Sequence, residues 1–140
     1  MLEHAFAACL LLAAQNQGVP PAVLTGIMQV EGGRVGLEAG PNQNGTYDLG
    51  VMQINTLWLD KLSKHWGVSK YTARRWVRDD GCINIEVAAW VLRQKIDEAG
   101  GSLTRGIAYY HSATPRYGNK YARKVISTMN RMGLIREYDG

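Results

Sequence analysis

The stretch GTYDLGVMQIN, Gly45–Asn55, decides how this chain folds. It opens on Asn44-Gly45, a strong hairpin-turn dipeptide because both residues tolerate positive φ. The run that follows, Leu49-Gly50-Val51-Met52-Gln53-Ile54, is short, apolar and interrupted by one amide. Residues 42–54 are therefore expected to form a small two- or three-stranded sheet. If LGVMQI is a strand, its alternation sends Val51 and Gln53 to one face and Met52 and Ile54 to the other. An amide among apolar neighbours needs a polar partner. What Gln53 faces is the question the rest of the chain answers.

Helix signals surround this sheet. A first helix spans Glu3–Gln17 and stops at Gly18; a second starts at Pro20-Pro21 and stops at Gly32-Gly33. Thr56 and Ser69 are candidate N-caps for helices over 57–66 and 70–77. Asp79 or Asp80 caps a long helix from Ile83 to Ala99, with Ile85, Ala89, Leu92 and Ile96 on one face and Gly100-Gly101 at its end. Ser102 opens a helix to Tyr110, and the last helix runs from Tyr117 to Met132. The fold class is α+β, mostly helical with one small antiparallel sheet.

The second helix holds a conflict. Val23, Leu24, Ile27 and Met28 mark its buried stripe, and Glu31 lies eight, seven, four and three residues beyond them. A carboxylate thus occupies a position patterned for the core. It also sits in the last turn, where the helix dipole disfavours negative charge. Both effects favour the neutral acid and raise its pKa, as a proton donor at neutral pH requires. The competing reading is a frayed helix end with Glu31 turned to water. A Gln53 amide beside a buried acid would help hold a polar ligand, since it donates and accepts. Otherwise it is a solvent-side hairpin residue.

The 140 residues form one domain, 46% hydrophobic and 20% charged, which excludes a disordered chain. No apolar run reaches the length of a membrane span. AFAACLLLAA, Ala5–Ala14, has no basic residues before it and no cleavage site after it, so it reads as a helix rather than a secretory leader. An exported protein would carry its leader outside this chain. Residues 1–60 hold one basic and five acidic residues, and residues 61–140 hold fifteen and seven, the sixteen and twelve of the whole chain. A basic half suits nucleic acid, an anionic membrane or an acidic polymer. Its charges are scattered along helical patterns, as on a solvated face. Cys9 and Cys82 have no metal-site spacing. They suit either one structural disulfide or two unrelated buried thiols.

Several motifs together carry a family likeness. Glu31-Gly32-Gly33, Gly50-Val51-Met52-Gln53-Ile54-Asn55, Tyr110-His111-Ser112-Ala113-Thr114, and Tyr121 with Val125 follow in order. The chain resembles the Slt-type, goose-lysozyme-like lytic transglycosylases, which cleave peptidoglycan. NGTYDLGVMQIN, followed by Trp58, and GCINIEVAAWVL are similar to the small members that accompany type III and type IV secretion, conjugation and pilus systems. The resemblance implies a lysozyme-like fold over residues 1–140 and assigns roles residue by residue. Glu31 matches the single catalytic acid/base, and Gly50 and Met52 the strand beside it. Gly50, Met52, Gln53, Asn55, Tyr110 and Tyr121 are implied at the substrate, Tyr121 also as the tyrosine that hydrogen-bonds the catalytic carboxylate. Gly32 stands where the family usually has Ser, and His111, also placed at the substrate, where it usually has Asn.

On this likeness the substrate alternates N-acetylglucosamine and N-acetylmuramic acid, and the product carries a 1,6-anhydro ring. No metal or other cofactor is expected, and no nucleic-acid partner. The implied setting is the periplasm or cell envelope, as a monomer beside envelope-spanning components, where a Cys9–Cys82 disulfide is expected. Asp48 is a possible second carboxylate across the cleft, which would allow hydrolysis as in a lysozyme-like muramidase; the alternative is a local turn contact. A catalytically silent glycan-binding scaffold would keep the groove without needing Glu31.

Overall fold

Proline and glycine set the ends of the first two helices in the computed structural model, which describes residues 5–135. Helix α1, Ala7–Gln17, stops at Gly18 in the left-handed conformation. Helix α2, Pro21–Glu31, has proline in its first turn and stops at Gly32 in the same way. The expected start of the first helix at Glu3 lies outside the described residues.

Three two-residue strands follow: β1 (Glu38–Ala39), β2 (Asp48–Leu49) and β3 (Ile54–Asn55). They form an antiparallel sheet in the order β1-β2-β3. Asp48 pairs with Ala39 on one side and with Asn55 on the other. The sheet begins earlier than expected, at Glu38. Asn44-Gly45 does make a turn, closed by Gly45 N–H donating to Asn42 O at 2.9 Å, but within the longer β1–β2 connection. Arg74 and Arg78 bind the Glu38 carboxylate and tie β1 to the helix that carries them.

LGVMQI is not a strand. Gly50 to Gln53 is a tight turn joining β2 to β3, with Gly50 at φ 69° and Gln53 at φ 53°. The expected alternation fails accordingly: Val51 and Met52 are both fully buried. Asn84, itself fully buried, fixes this turn. Its amide donates to Leu49 O at 2.8 Å and Val77 O at 2.9 Å, and its Oδ1 accepts from Met52 N–H at 2.7 Å. A Cβ on Gly50 would come within 2.5 Å of that amide nitrogen.

A 3₁₀ turn, Thr56–Trp58, leads into α3, Leu59–Trp66. Asn55, not Thr56, is the cap: its Oδ1 accepts from Leu57 N–H at 2.9 Å. The Thr56 hydroxyl instead accepts from Tyr47 N–H, which holds β2 to β3. Ser69 caps α4 (Lys70–Asp79), Asp80 caps α5 (Gly81–Glu98) and Ser102 caps α6 (Leu103–His111), as their side-chain oxygens suit them to do. Helix α7, Pro115–Arg131, is the last helix among the described residues.

Helix α5 is the axis of the core. Ile85, Ala89 and Leu92 are fully buried on one face, and the helix packs against α1, α4 and α6. Helix α2 packs against α7. Cys9 of α1 and Cys82 at the start of α5 form a disulfide, with Cα atoms 5.3 Å apart. No helix among the described residues is long and apolar enough to cross a membrane. Mostly helical with a small antiparallel sheet, the architecture is that of a lysozyme-like α+β fold.

Candidate active site

Glu31 ends α2, and its position follows from the stripe that precedes it. Val23, Leu24, Ile27 and Met28 are all at most 1% exposed, so the helix presents Glu31 along the same buried face. Gly33 then lets the chain pass the β2–β3 turn at backbone distance: a Cβ there would lie 2.1 Å from Gly50 O and 2.8 Å from Val51 O. This close approach brings the carboxylate beside the turn that carries Gln53.

Tyr121 of α7 reaches the same carboxylate. Its hydroxyl donates to Glu31 Oε2 at 2.6 Å. Burial is the largest influence on Glu31 and raises its pKa above the ordinary 4.5. The Tyr121 hydrogen bond opposes this, the charge of Asp48 adds to it, and the Lys124 ammonium opposes it. Burial wins. Burial, followed by the Glu31 charge, also pushes the Tyr110 and Tyr121 phenols upward, so both stay protonated donors. The rings form a layer beneath the carboxylate: Tyr121 stacks on Tyr110 at 6.3 Å and on His111 at 4.6 Å.

A cleft of about 780 Å³ opens over Glu31. Asp48, Gln53, Asn55, Tyr110 and His111 line it together with Glu31. Asp48 is held by two amides: Asn42 Nδ2 donates at 3.2 Å and Asn55 Nδ2 at 3.1 Å. It therefore makes the local contacts of a turn residue and still faces the cleft. Gln53 donates to Gly50 O at 2.9 Å within its own turn, so its Oε1 is the group left for a ligand.

Gly50 and Met52, expected at the substrate, do not line the cleft. Met52 is fully buried and Gly50 lies beneath the cleft, where Asn84 anchors both. They shape the turn and do not line the opening. Sequence reasoning missed Asn84, although an Asn inside an otherwise apolar helix face was a readable signal. It also missed the Asn42 amide and Lys95, both in the cleft lining. Trp58, noted only as a family-like residue, lines the cleft as well, and its ring carries the Lys95 ammonium at 5.6 Å and meets Trp90 edge-on. Among the described residues, no three His, Cys, Asp or Glu side chains gather as metal ligands would.

The arrangement is one half-buried acid with a fixed phenol donor, opposite a hydrogen-bonded carboxylate, in an open groove lined by amides and aromatic rings. Such a groove suits a polar, ring-containing polymer. The family profile described as the transglycosylase SLT domain matches residues 8–134. The invasion protein IagB of Salmonella typhimurium (strain SL1344) is 30% identical over 127 residues, which cover 89% of this chain and 76% of IagB. IagB of Salmonella typhi is similar to the same extent.

Proposed function

This chain belongs to the transglycosylase SLT family, whose members are lytic transglycosylases acting on peptidoglycan, and from that premise we propose its mechanism, residue roles and setting. The reaction is cleavage of the β-1,4 bond between N-acetylmuramic acid and N-acetylglucosamine, with residues 1–140 as one lysozyme-like domain. Glu31 serves as sole acid and base. In its protonated form it gives its proton to the glycosidic oxygen as the C1–O bond breaks and an oxocarbenium-like centre forms. The substrate's own N-acetyl oxygen stabilises that centre, in place of a second carboxylate. Ionised Glu31 then takes the proton of the muramyl C6 hydroxyl, whose oxygen closes on C1. The acid is regenerated, no water is consumed and the product carries the 1,6-anhydro ring.

The observation that carries this reading is the Glu31–Tyr121 pair. Burial favours the protonated acid that the first step uses, and the 2.6 Å phenol bond steadies the carboxylate of the second. Gln53 Oε1, Asn55, Tyr110 and His111 serve as contacts to the sugars and their N-acetyl groups. Gly50 and Met52 act on the site through the turn they form.

One observation favours hydrolysis beside this route. Asp48 lines the same cleft and its charge is felt by Glu31. In that version a water held by Asp48 replaces the C6 hydroxyl. Digestion of purified peptidoglycan with product masses decides between them, because the anhydro product is lighter by one water.

The setting follows the likeness in sequence to the small transglycosylases of envelope machines. The enzyme works in the periplasm or cell envelope, opening the wall locally for a secretion, conjugation or pilus apparatus. Deletion of the chain in its host should impair assembly of that apparatus without changing general wall turnover.

A further inference from the structure

The basic excess of the second half is not spread evenly once the ion pairs are drawn. Lys64 and Lys70 meet Asp60, Arg74 and Arg78 meet Glu38, Arg93 meets Asp97, and Lys95 meets Glu98. Helix α7 differs. It holds Arg116, Lys120, Arg123, Lys124 and Arg131 and no acidic residue. All five are exposed, and none forms an ion pair among the described residues. Their spacing places them along one side of the helix, over roughly 22 Å at the α-helical rise. Asn119 and Asn130 are exposed on one flank of it, with Ile126 half-buried between them. The same helix carries Tyr121, the hydrogen-bond partner of Glu31, and Lys124 of the stripe lies near enough for its charge to act on that carboxylate.

The cleft has the opposite character. Beyond Glu31 and Asp48 its lining is largely amides, hydroxyls and rings, with Lys95 as the one Lys or Arg side chain among the lining residues. An uncharged chain in the groove with anionic branches at the rim would match both surfaces. Peptidoglycan has that form: neutral sugars, with peptide branches on muramic acid that carry free carboxylates. We propose that the cationic stripe of α7 is a docking surface for the carboxylate-bearing stem peptides of the strand seated in the cleft. This rests on peptidoglycan as the substrate, and adds that peptide-bearing strands are preferred to strands stripped of their peptides.

The test compares both kinds of strand, the stripped ones prepared with an amidase. Binding is measured in a Glu31→Gln background so that the strands stay intact, and therefore reads the stripe independently of turnover. Peptide-bearing strands should bind about threefold to tenfold more tightly, as a few exposed ion pairs support. The preference should shrink as salt rises. Arg116→Gln/Lys120→Gln/Arg123→Gln should bring the two strands within about twofold, the loss falling on the peptide-bearing one. Lys124 is left in place because it acts on Glu31. Equal binding of both strands by the parent protein, or an unchanged preference in the triple variant, overturns the proposal. So does a triple variant that loses binding to phosphatidylglycerol vesicles while its strand preference stays intact, which would assign the stripe to anionic lipid. Absence of anhydro product from the wild-type enzyme would count against the proposed reaction, and a persisting strand preference would leave the docking surface standing.

Discussion

The Tyr121 hydroxyl donates to Glu31 Oε2 at 2.6 Å, across ninety residues of sequence. A hydrogen bond to a carboxylate favours its ionised form, so this contact holds the Glu31 pKa below the level that burial alone would set. Tyr121→Phe should move the alkaline limb of the pH–rate profile to higher pH, since that limb reports loss of the protonated acid. The same change should lower kcat by roughly tenfold or more, as a bond to a charged group is worth ~1.5–3 kcal/mol. A limb that moved to lower pH would contradict the assigned balance of effects.

Glu31→Gln separates catalysis from stability. Cleavage should fall by at least ~10²-fold, the low end for general acid–base catalysis. Stability should respond the other way above the ordinary carboxylate range. The folded pKa is raised, so the neutral acid's contribution is fully present below about pH 4.5 and lost as pH rises through the folded value. The Gln variant escapes that loss. Thermal melts at several pH values should show its relative advantage growing from about pH 4.5 upward. A constant difference across the range would mean that Glu31 is not held neutral by the fold.

Glu31 could be read from periodicity because a buried helical stripe repeats regularly and a carboxylate on it stands out. The sheet region could not be read so well. LGVMQI has the composition of a strand, yet Gly50 and Gln53 adopt positive φ in a turn fixed by Asn84, thirty-two residues beyond Met52. Local alternation carries no information about such a distant anchor. Similarly, Thr56 and Asn55 are both competent caps, and the pairing of Thr56 with Tyr47 across the sheet decided between them. The partnership of Tyr121 with Glu31 came from family likeness, since nothing in the spacing joins them.

Asn84 is the test of how the turn supports the site. It satisfies Leu49 O, Val77 O and Met52 N–H while fully buried. Asn84→Leu keeps much of the volume but leaves those groups without partners, each costing ~1–3 kcal/mol. Urea unfolding should show a loss of ~3–5 kcal/mol. Activity should fall as well at temperatures where the variant stays folded, because the turn sets Gln53 against Gly33. An unchanged midpoint would refute the anchoring role.

The Cys9–Cys82 disulfide closes a separation of 73 residues between α1 and α5. Cross-linking a loop of that size should stabilise by ~4 kcal/mol in the chain-entropy model, and removal of such bonds typically costs ~2–5 kcal/mol. Cys9→Ser/Cys82→Ser should therefore melt earlier while cleaving peptidoglycan at the wild-type rate below its transition. Two free thiols in unreduced, denatured protein from an oxidising compartment would show that the bond does not form there.

Asp48 decides between the two ways of finishing the reaction. It shares the cleft with Glu31, yet both of its oxygens already accept amide bonds, from Asn42 and Asn55. A carboxylate so held can raise the Glu31 pKa by its charge without handling a proton itself. Asp48→Asn removes that charge, so the Glu31 pKa should drop and the alkaline limb move to lower pH, opposite in sign to Tyr121→Phe. Anhydro product should still form, because the muramyl C6 hydroxyl supplies the nucleophile and Glu31 takes its proton. A hydrolysed product that wild type makes and Asp48→Asn does not would assign Asp48 the water. Loss of the anhydro product itself would mean that Glu31 cannot complete the cycle alone.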